Sequence, residues 1–397
     1  MVNLNTVTEA LKTLYIGPLR QDIRLEADPF ASRILNTSDN IVGYREIRRA
    51  AQIGANGGVG AGTETGDLPA SGENPYIQLI SDTKNMYGTL SISDKSMKSV
   101  TGNNAGSFVN ALQQEITTLT KTLKWNLARQ VYGDGSGKLC TLAALSTAGK
   151  KLTCASGSST QFLLPGLKVD LHASDGSVTN SGVRITDVDH IAKTVTLDTS
   201  VTTASGAYLT IQGSAGLELT GLGKLFETIA AGSTLYGLNR NDYSWLRPYT
   251  KANFGKISEV GMQNVINSIE DTYNVKIDHI NCGNSAYDHY MNLMNTRRAI
   301  NDVMTLEGGH TALKFNGMPL TRNKFMPTDG IDFYDTGLFT IDQIADWEWI
   351  EGETRQILHQ VPGKPIYTAS ITKYCDMMCV LPGGIARVTG VTAHDAT

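Results

Sequence analysis

The densest cluster of residues able to do chemistry is the run Gly-Asp-Gly-Ser-Gly-Lys at 133–138. Glycine amides beside a lysine can cradle a phosphate, and an aspartate followed by a serine can open a calcium loop. Neither pattern is completed. The GxxxxGK[ST] spacing is missing, Leu139 follows Lys138, and no ligand series with a closing glutamate comes after. A phosphate loop also follows a strand, whereas this run follows a helical pattern. The glycines Gly57, Gly58, Gly60 and Gly62 lack the strand-turn-helix setting of a dinucleotide fingerprint and read as a flexible tip. The histidines (His172, His190, His279, His289, His310, His359 and His394) form no HExxH and no zinc-spaced set with cysteine, so each reads as structural or surface-exposed. No serine sits in a GxSxG elbow. The carboxylate pairs Asp187/Asp189 and Glu351/Glu353 read as solvated faces of strands or turns before they read as a glycosidase dyad. Trp347 and Trp349, flanking Glu348, could stack on a sugar or base, but tryptophan is also favoured in subunit contacts, and that is the reading taken. Cys140, Cys154, Cys282, Cys375 and Cys379 are an odd set without CxxC, which reads as buried free thiols. No catalytic residue, metal or cofactor is implied, and the chain is not read as an enzyme.

The elements that would have to position such residues are more informative. Val7, Ala10, Leu11 and Leu14 make one stripe of a short amphipathic helix, followed by an extended polar arm through residue 39. Residues 41–92 form a two-armed excursion. A strand pattern at 41–50 leads into a tip with seven glycines between 54 and 72, and the return through 76–92 alternates at Ile77 and Leu79, then Leu90 and Ile92. An isolated hairpin is marginal in water, so this flap needs a docking surface on another element or another subunit. Phe108, Leu112, Ile116, Leu119, Leu123, Leu127 and Val131 then recur every three or four residues. With Ser107 as N-cap and Gly133 as stop, they predict a helix of about 25 residues, about 38 Å long.

Residues 139–214 change character, becoming rich in Ser, Thr and Gly, with strand candidates at 151–154, 167–173, 182–189, 193–199 and 207–212. That spacing predicts a small inserted β-barrel or sandwich whose ends fall at tolerant glycine-rich sites. A second helix over 256–273, a strand at 275–283 and a helix at 285–295 predict an α/β layer. Strand candidates at 313–315, 318–323, 331–335, 366–372 and 376–381 close the chain. At 397 residues two or three cores are expected. A formal charge of -4 supplies no basic field for tight sequence-independent binding to nucleic acid. The first residues lack a charged n-region before an apolar run, and no apolar run reaches membrane-spanning length, so no membrane association is expected.

The order of these parts resembles the major capsid proteins of tailed bacteriophages, the Hong Kong 97-type fold. The phrase NLARQVYGDGSG at 126–137 is similar to the end of that family's spine helix, and FNGMPLTRNKFMPTDGIDFYD at 315–335 to its late peripheral-domain strands. The resemblance implies an α+β chain divided into an N-terminal arm (1–40), an extended loop (41–92), a peripheral domain with spine helix (93–138), an inserted β domain (139–214), an axial domain (215–313) and peripheral strands returning to the axial domain (314–397). It implies a structural virion protein whose hexamers and pentamers build an icosahedral shell around double-stranded DNA, assembled in the host cytoplasm. Its partners would be itself, a portal, a separate scaffolding protein and a decoration protein on the inserted domain, with DNA touched only non-specifically. Subunit-contact candidates are Leu11, Leu14, Ile77, Leu79, Ile80, Trp347 and Trp349. Lys84 is the flap's one lysine, near its base, so isopeptide crosslinks between subunits are not expected. An encapsulin-like compartment and a glycoside hydrolase acting through the β domain remain as alternatives.

Overall fold

The computed structural model describes residues 29–43, 45–52, 54, 56–95, 105–156, 158–296, 303–305, 311–352 and 356–394. The amphipathic stripe of Leu11 and Leu14 lies outside them. The expected extended arm is instead anchored over its last residues. Helix α1 (Pro29–Arg33) and strand β1 (Leu35–Thr37) bury Phe30 and Ile34 completely. Phe30 is held in an aromatic cage, with its ring 4.5 Å from that of Tyr334 and edge-on to Phe339 at 5.1 Å.

The excursion at 41–92 divides into two structures of different kind. Strands β2 (Glu46–Gln52) and β3 (Tyr76–Asp82) pair antiparallel over their whole length, from Glu46 opposite Asp82 to Gln52 opposite Tyr76. Strand β4 (Lys84–Ser93) leaves the hairpin after Thr83 and pairs ten residues deep with a late strand in the central sheet. Alternation alone could not separate these, because both strands turn alternate side chains inward, β3 through half-buried Ile77 and buried Leu79, β4 through Met86, Leu90 and Ile92. Helix α2 (Ala105–Tyr132) crosses that sheet, starting two residues before the expected cap at Ser107. It buries Ile116, Leu123, Leu127 and Val131, successive steps of seven, four and four that mark one helix face. Gly88 on β4 makes the close approach possible: a Cβ there would lie 3.1 Å from both Leu123 and Ile371 side-chain atoms.

The insert holds six strands: β5 (Lys138–Thr141), β6 (Leu145–Thr153), β7 (Lys168–His172), β8 (Val178–Asp189), β9 (Thr194–Thr203) and β10 (Tyr208–Ile211). Their order is β5-β10-β7-β8-β9-β6. The two ends of this path meet through the antiparallel bridge of Leu142 with Cys154, flanked by Ala143 N donating to Thr153 O (2.9 Å) and Ala155 N donating to Thr141 O (2.8 Å). The sheet therefore closes on itself as a barrel, which removes its edges. Strand β5 was missed because three of its four residues, Lys138, Cys140 and Thr141, do not carry an alternating apolar pattern.

Helix α3 (Glu259–Tyr273) begins where Ser258 Oγ accepts from Gly261 N (3.1 Å) and ends on left-handed Asn274. With α4 (Asn284–Thr296) it covers a seven-stranded sheet centred on β11 (His279–Cys282), β12 (Met318–Arg322) and β13 (Ile331–Tyr334). The central sheet of five strands is built around β14 (Phe339–Trp349) and β15 (Ile366–Cys379). The sequence suggests two strands at 366–372 and 376–381 where one long strand exists. Lys373 and Asp376 interrupt the apolar pattern, yet both are buried with partners: Lys373 Nζ lies 2.9 Å from Asp346, and Asp376 accepts from Ser81 Oγ (2.6 Å) and Thr220 N (2.7 Å). Three apolar cores result, one each for the central sheet, the seven-stranded sheet and the barrel.

Candidate functional site

The glycine run at 133–138 is the neck of the insert. Asp134 Oδ1 accepts from Ser136 N (2.9 Å) and Ser136 Oγ (2.6 Å), closing a local turn, and Ser136 O accepts from Gly216 N on the returning chain (2.9 Å). Gly137 has a positive φ, and a Cβ there would sit 2.8 Å from Ser214 O, so the entering and leaving chains lie flush. Just below the neck, the Arg129 guanidinium forms a bidentate pair with Glu218, both side chains 4% exposed, and also donates to Asn126 Oδ1 (2.8 Å). Two parallel bonds in a dry setting fix this geometry strongly, tying the end of α2 to the chain that leaves the barrel.

The other polar candidates also resolve into structural roles. Asp189 Oδ1 accepts from Ile191 N (3.0 Å) and Ala192 N (2.9 Å), holding a barrel turn. Among the described residues, no group of three or more His, Cys, Asp or Glu is placed to hold a metal, and no helix is long and apolar enough to cross a membrane. His279 is a network hub. Arg33 Nη1, an obligate donor, approaches its Nδ1 at 3.1 Å, which assigns the proton to Nε2, facing Asn281 Oδ1 at 3.0 Å. Asn281 Nδ2 in turn donates to Tyr132 Oη (2.6 Å). Burial, together with the Arg33 charge, depresses His279 to a pKa of about 4, so the ring is neutral near pH 7. This chain of bonds joins α1, β11 and the end of α2.

The contact candidates separate sharply. Leu79 is fully buried, and Trp347 and Trp349 nearly so, all three in the central core of this same chain. The chain itself covers them, because the base of the β2–β3 hairpin lies down on its own body. Ile80 N donates to Tyr236 O (3.1 Å), Ser81 reaches Asp376, and Arg49 Nη1 donates to Thr340 Oγ1 (2.6 Å). Ile77 packs partly against that core, while Ile80 remains 38% exposed.

Beyond the base, the tip at 54–75 stands free of the chain. Its Val59 is 88% exposed and Leu68 90%, with Tyr76 at its root 61%. Sequence reading missed Val59 and Leu68 because single apolar residues among glycines carry no periodicity. The tip's hydrogen bonds are local, such as Gly66 N to Thr63 O (3.1 Å) and Gly58 N to Asn56 Oδ1 (2.8 Å). Its two limbs are pinched together at Gly72, where a Cβ would lie 2.4 Å from the amide nitrogens of Gly57 and Gly58. The glycine-pinched loop thus leaves its two large apolar side chains, Val59 and Leu68, in solvent.

No protein-family model matches the sequence, and no curated protein matches it. Among solved structures, the chain is similar to one in the cyanophage A-1(L) capsid asymmetric unit, 9% identical, with 91% of this chain and 90% of that chain covered at a TM-score of 0.51. It is also similar to a chain of the satellite phage P4 procapsid with its size-determination protein, 9% identical over 96% of this chain and 100% of that one, at a TM-score of 0.45. A holo-encapsulin complex from Synechococcus elongatus aligns over 40% of this chain and 60% of that chain, 13% identical, at a TM-score of 0.30. The first likeness shows the fold: a mixed α+β chain of the phage capsid type, known as the Hong Kong 97-type fold.

Proposed function

We propose that this chain is the major capsid subunit of a tailed bacteriophage, forming the hexamers and pentamers of an icosahedral shell around packaged double-stranded DNA. The observation that carries this reading is the β2–β3 hairpin: its base is satisfied within the chain, while its tip holds Val59 and Leu68 almost fully in solvent on a fold shared with a capsid chain. Free energy is gained only when a second subunit covers the tip, so stability of the tip and assembly of the shell become one event. Contact between copies would run through Val59, Leu68, Ile77 and Ile80 on the hairpin, with Leu11 and Leu14 on the arm. The residues at 1–40 would serve as arm, 41–82 as extended loop, 215–313 as axial domain, and the barrel as an outward module open to a decoration protein.

The remaining partners would be a portal and a separate scaffolding protein, with assembly in the host cytoplasm. A formal charge of -4 suits a wall that encloses DNA without gripping it. The chemistry is structural, since the candidate polar clusters are spent on turns, necks and buried networks.

Negative-stain electron microscopy of the expressed full chain, with and without a co-expressed scaffold, tests the reading. Closed icosahedral particles or capsid-like sheets are expected. Monomers under every condition would overturn it, and particles carrying an enzyme cargo in place of DNA would shift it to a cargo compartment.

A further inference from the structure

A pair of thiols sits at the barrel seam. Cys140 on β5 and Cys154, just beyond β6, bring their sulfur atoms to 2.9 Å inside the barrel core, both side chains buried. The bridge that closes the barrel sets Leu142 opposite Cys154. Cys140, two residues from Leu142, therefore falls on the same inward face, diagonal to Cys154. The two cysteines span the one junction where the sheet path is held by a single bridge. Cys140 also lines a cleft of about 580 Å3 between the barrel and the body, with Thr141, Ser158, Phe162 and Phe325 on its walls.

We propose that Cys140 and Cys154 are a redox pair that a small-molecule disulfide oxidises to an intramolecular disulfide, locking the barrel seam. The reagent enters by the cleft. The Cys140 thiolate attacks one sulfur of oxidised glutathione, forming a mixed disulfide and expelling one glutathione thiolate. Cys154 then gives up its proton and attacks the Cys140 sulfur, and the second glutathione leaves. Two protein thiols and one glutathione disulfide become one protein disulfide and two glutathione thiols. The Cys140 S–H donates to Cys154, which holds the Cys154 thiol below its ordinary pKa against the cost of burial, and Lys193 adds to this. The same bond, with burial, holds the Cys140 thiol above its ordinary value, so Cys140 attacks only as its proton passes along that bond to Cys154. Reducing surroundings leave the seam held by its backbone bridge alone, and oxidising surroundings lock it covalently.

The full chain is incubated natively with oxidised glutathione, then unfolded, alkylated with iodoacetamide and digested with trypsin without reductant. The expected product joins the peptides 139–150 and 152–168, disappears on reduction, and accompanies a barrel melting transition several degrees higher. In Cys154→Ser, which lacks the resolving thiol, a glutathione adduct should accumulate on Cys140. Full alkylation of Cys140 and Cys154 after oxidation would overturn the pairing. Cross-linked wild type without an adduct in Cys154→Ser would overturn the route through the cleft.

Discussion

The chain makes two long departures from its body, the hairpin at 46–82 and the barrel at 139–213, and they solve the same problem in opposite ways. The barrel closes its sheet and encloses fifteen buried apolar residues of its own, Leu152, Val169, Leu197 and Leu209 among them. It meets the body at a neck of a few hydrogen bonds and the Phe162–Phe325 stack at 6.0 Å. The hairpin encloses nothing. Its base borrows the central core through Ile47 and Leu79, and its tip has no core to borrow. An excursion with its own core can be a module on any surface, whereas one without must be completed by a neighbour.

The largest test removes the incomplete excursion. Gln52 lies opposite Tyr76 at the end of the ladder, so replacing residues 53–75 with Asn-Gly should close a two-residue hairpin without disturbing the base. The expected outcome is a folded subunit with an unchanged melting transition and no shells by electron microscopy. Normal particles from this variant would dissolve the contrast between tip and barrel.

Next in size is a pair of substitutions within one hairpin. Leu79→Asp places a carboxylate in a fully buried apolar site and should cost about 4 kcal/mol or more, abolishing cooperative unfolding. Leu68→Asp, at 90% exposure, should leave stability within about 0.5 kcal/mol while blocking assembly. Equal losses of stability in urea titrations would show that base and tip are one unit.

That division marks the limit of what the sequence made legible. The long helix α2, the inserted β domain, α3 and the mixed fold follow from periodicity and glycine content, because each element carries its own pattern. The destination of β3 and β4 does not, since a period of two says which face is buried and is silent on which partner buries it. Leu79 and Trp349 therefore read as contact residues, although intrachain strands cover them. Asp376 and Lys373 look like the end of a strand because charge in a core is legible only once Ser81, Thr220 and Asp346 are placed around it. Val59 and Leu68 became candidates only when their exposure was known.

The body itself should respond to acid at its hub. His279 is neutral in the folded chain, with its pKa depressed from 6.5 to about 4. A depressed base binds its proton less readily folded than unfolded, so stability is fully present above 6.5 and is lost as pH falls toward about 4. The loss should reach about 3 kcal/mol. Urea midpoints at about pH 7 and about pH 4.5 should differ by most of that amount in the wild type and by much less in His279→Gln. An equal slope in the variant would assign the acid sensitivity to the buried carboxylates instead.

Excising the complete excursion should cost the body less. With residues 139–213 replaced by a short Gly-Ser linker, the Ser136–Gly216 bond and the Arg129–Glu218 pair still close the neck. The body should keep its melting transition to within about 1 kcal/mol. Collapse of the fold would show that the barrel supports α2.

The smallest change probes the tip's shape alone. Gly72→Ala puts a methyl 2.4 Å from two backbone nitrogens that cannot move aside as a flexible side chain would. The limbs at 56–58 and 70–72 must part, and because the tip touches no core, thermal stability should stay within about 0.5 kcal/mol. Assembly should still respond, since a splayed tip presents Val59 and Leu68 in a new geometry. A several-fold drop in particle yield at unchanged subunit stability is expected from light scattering. Unchanged yield would mean that the tip contributes apolar area to its neighbour without a fixed shape.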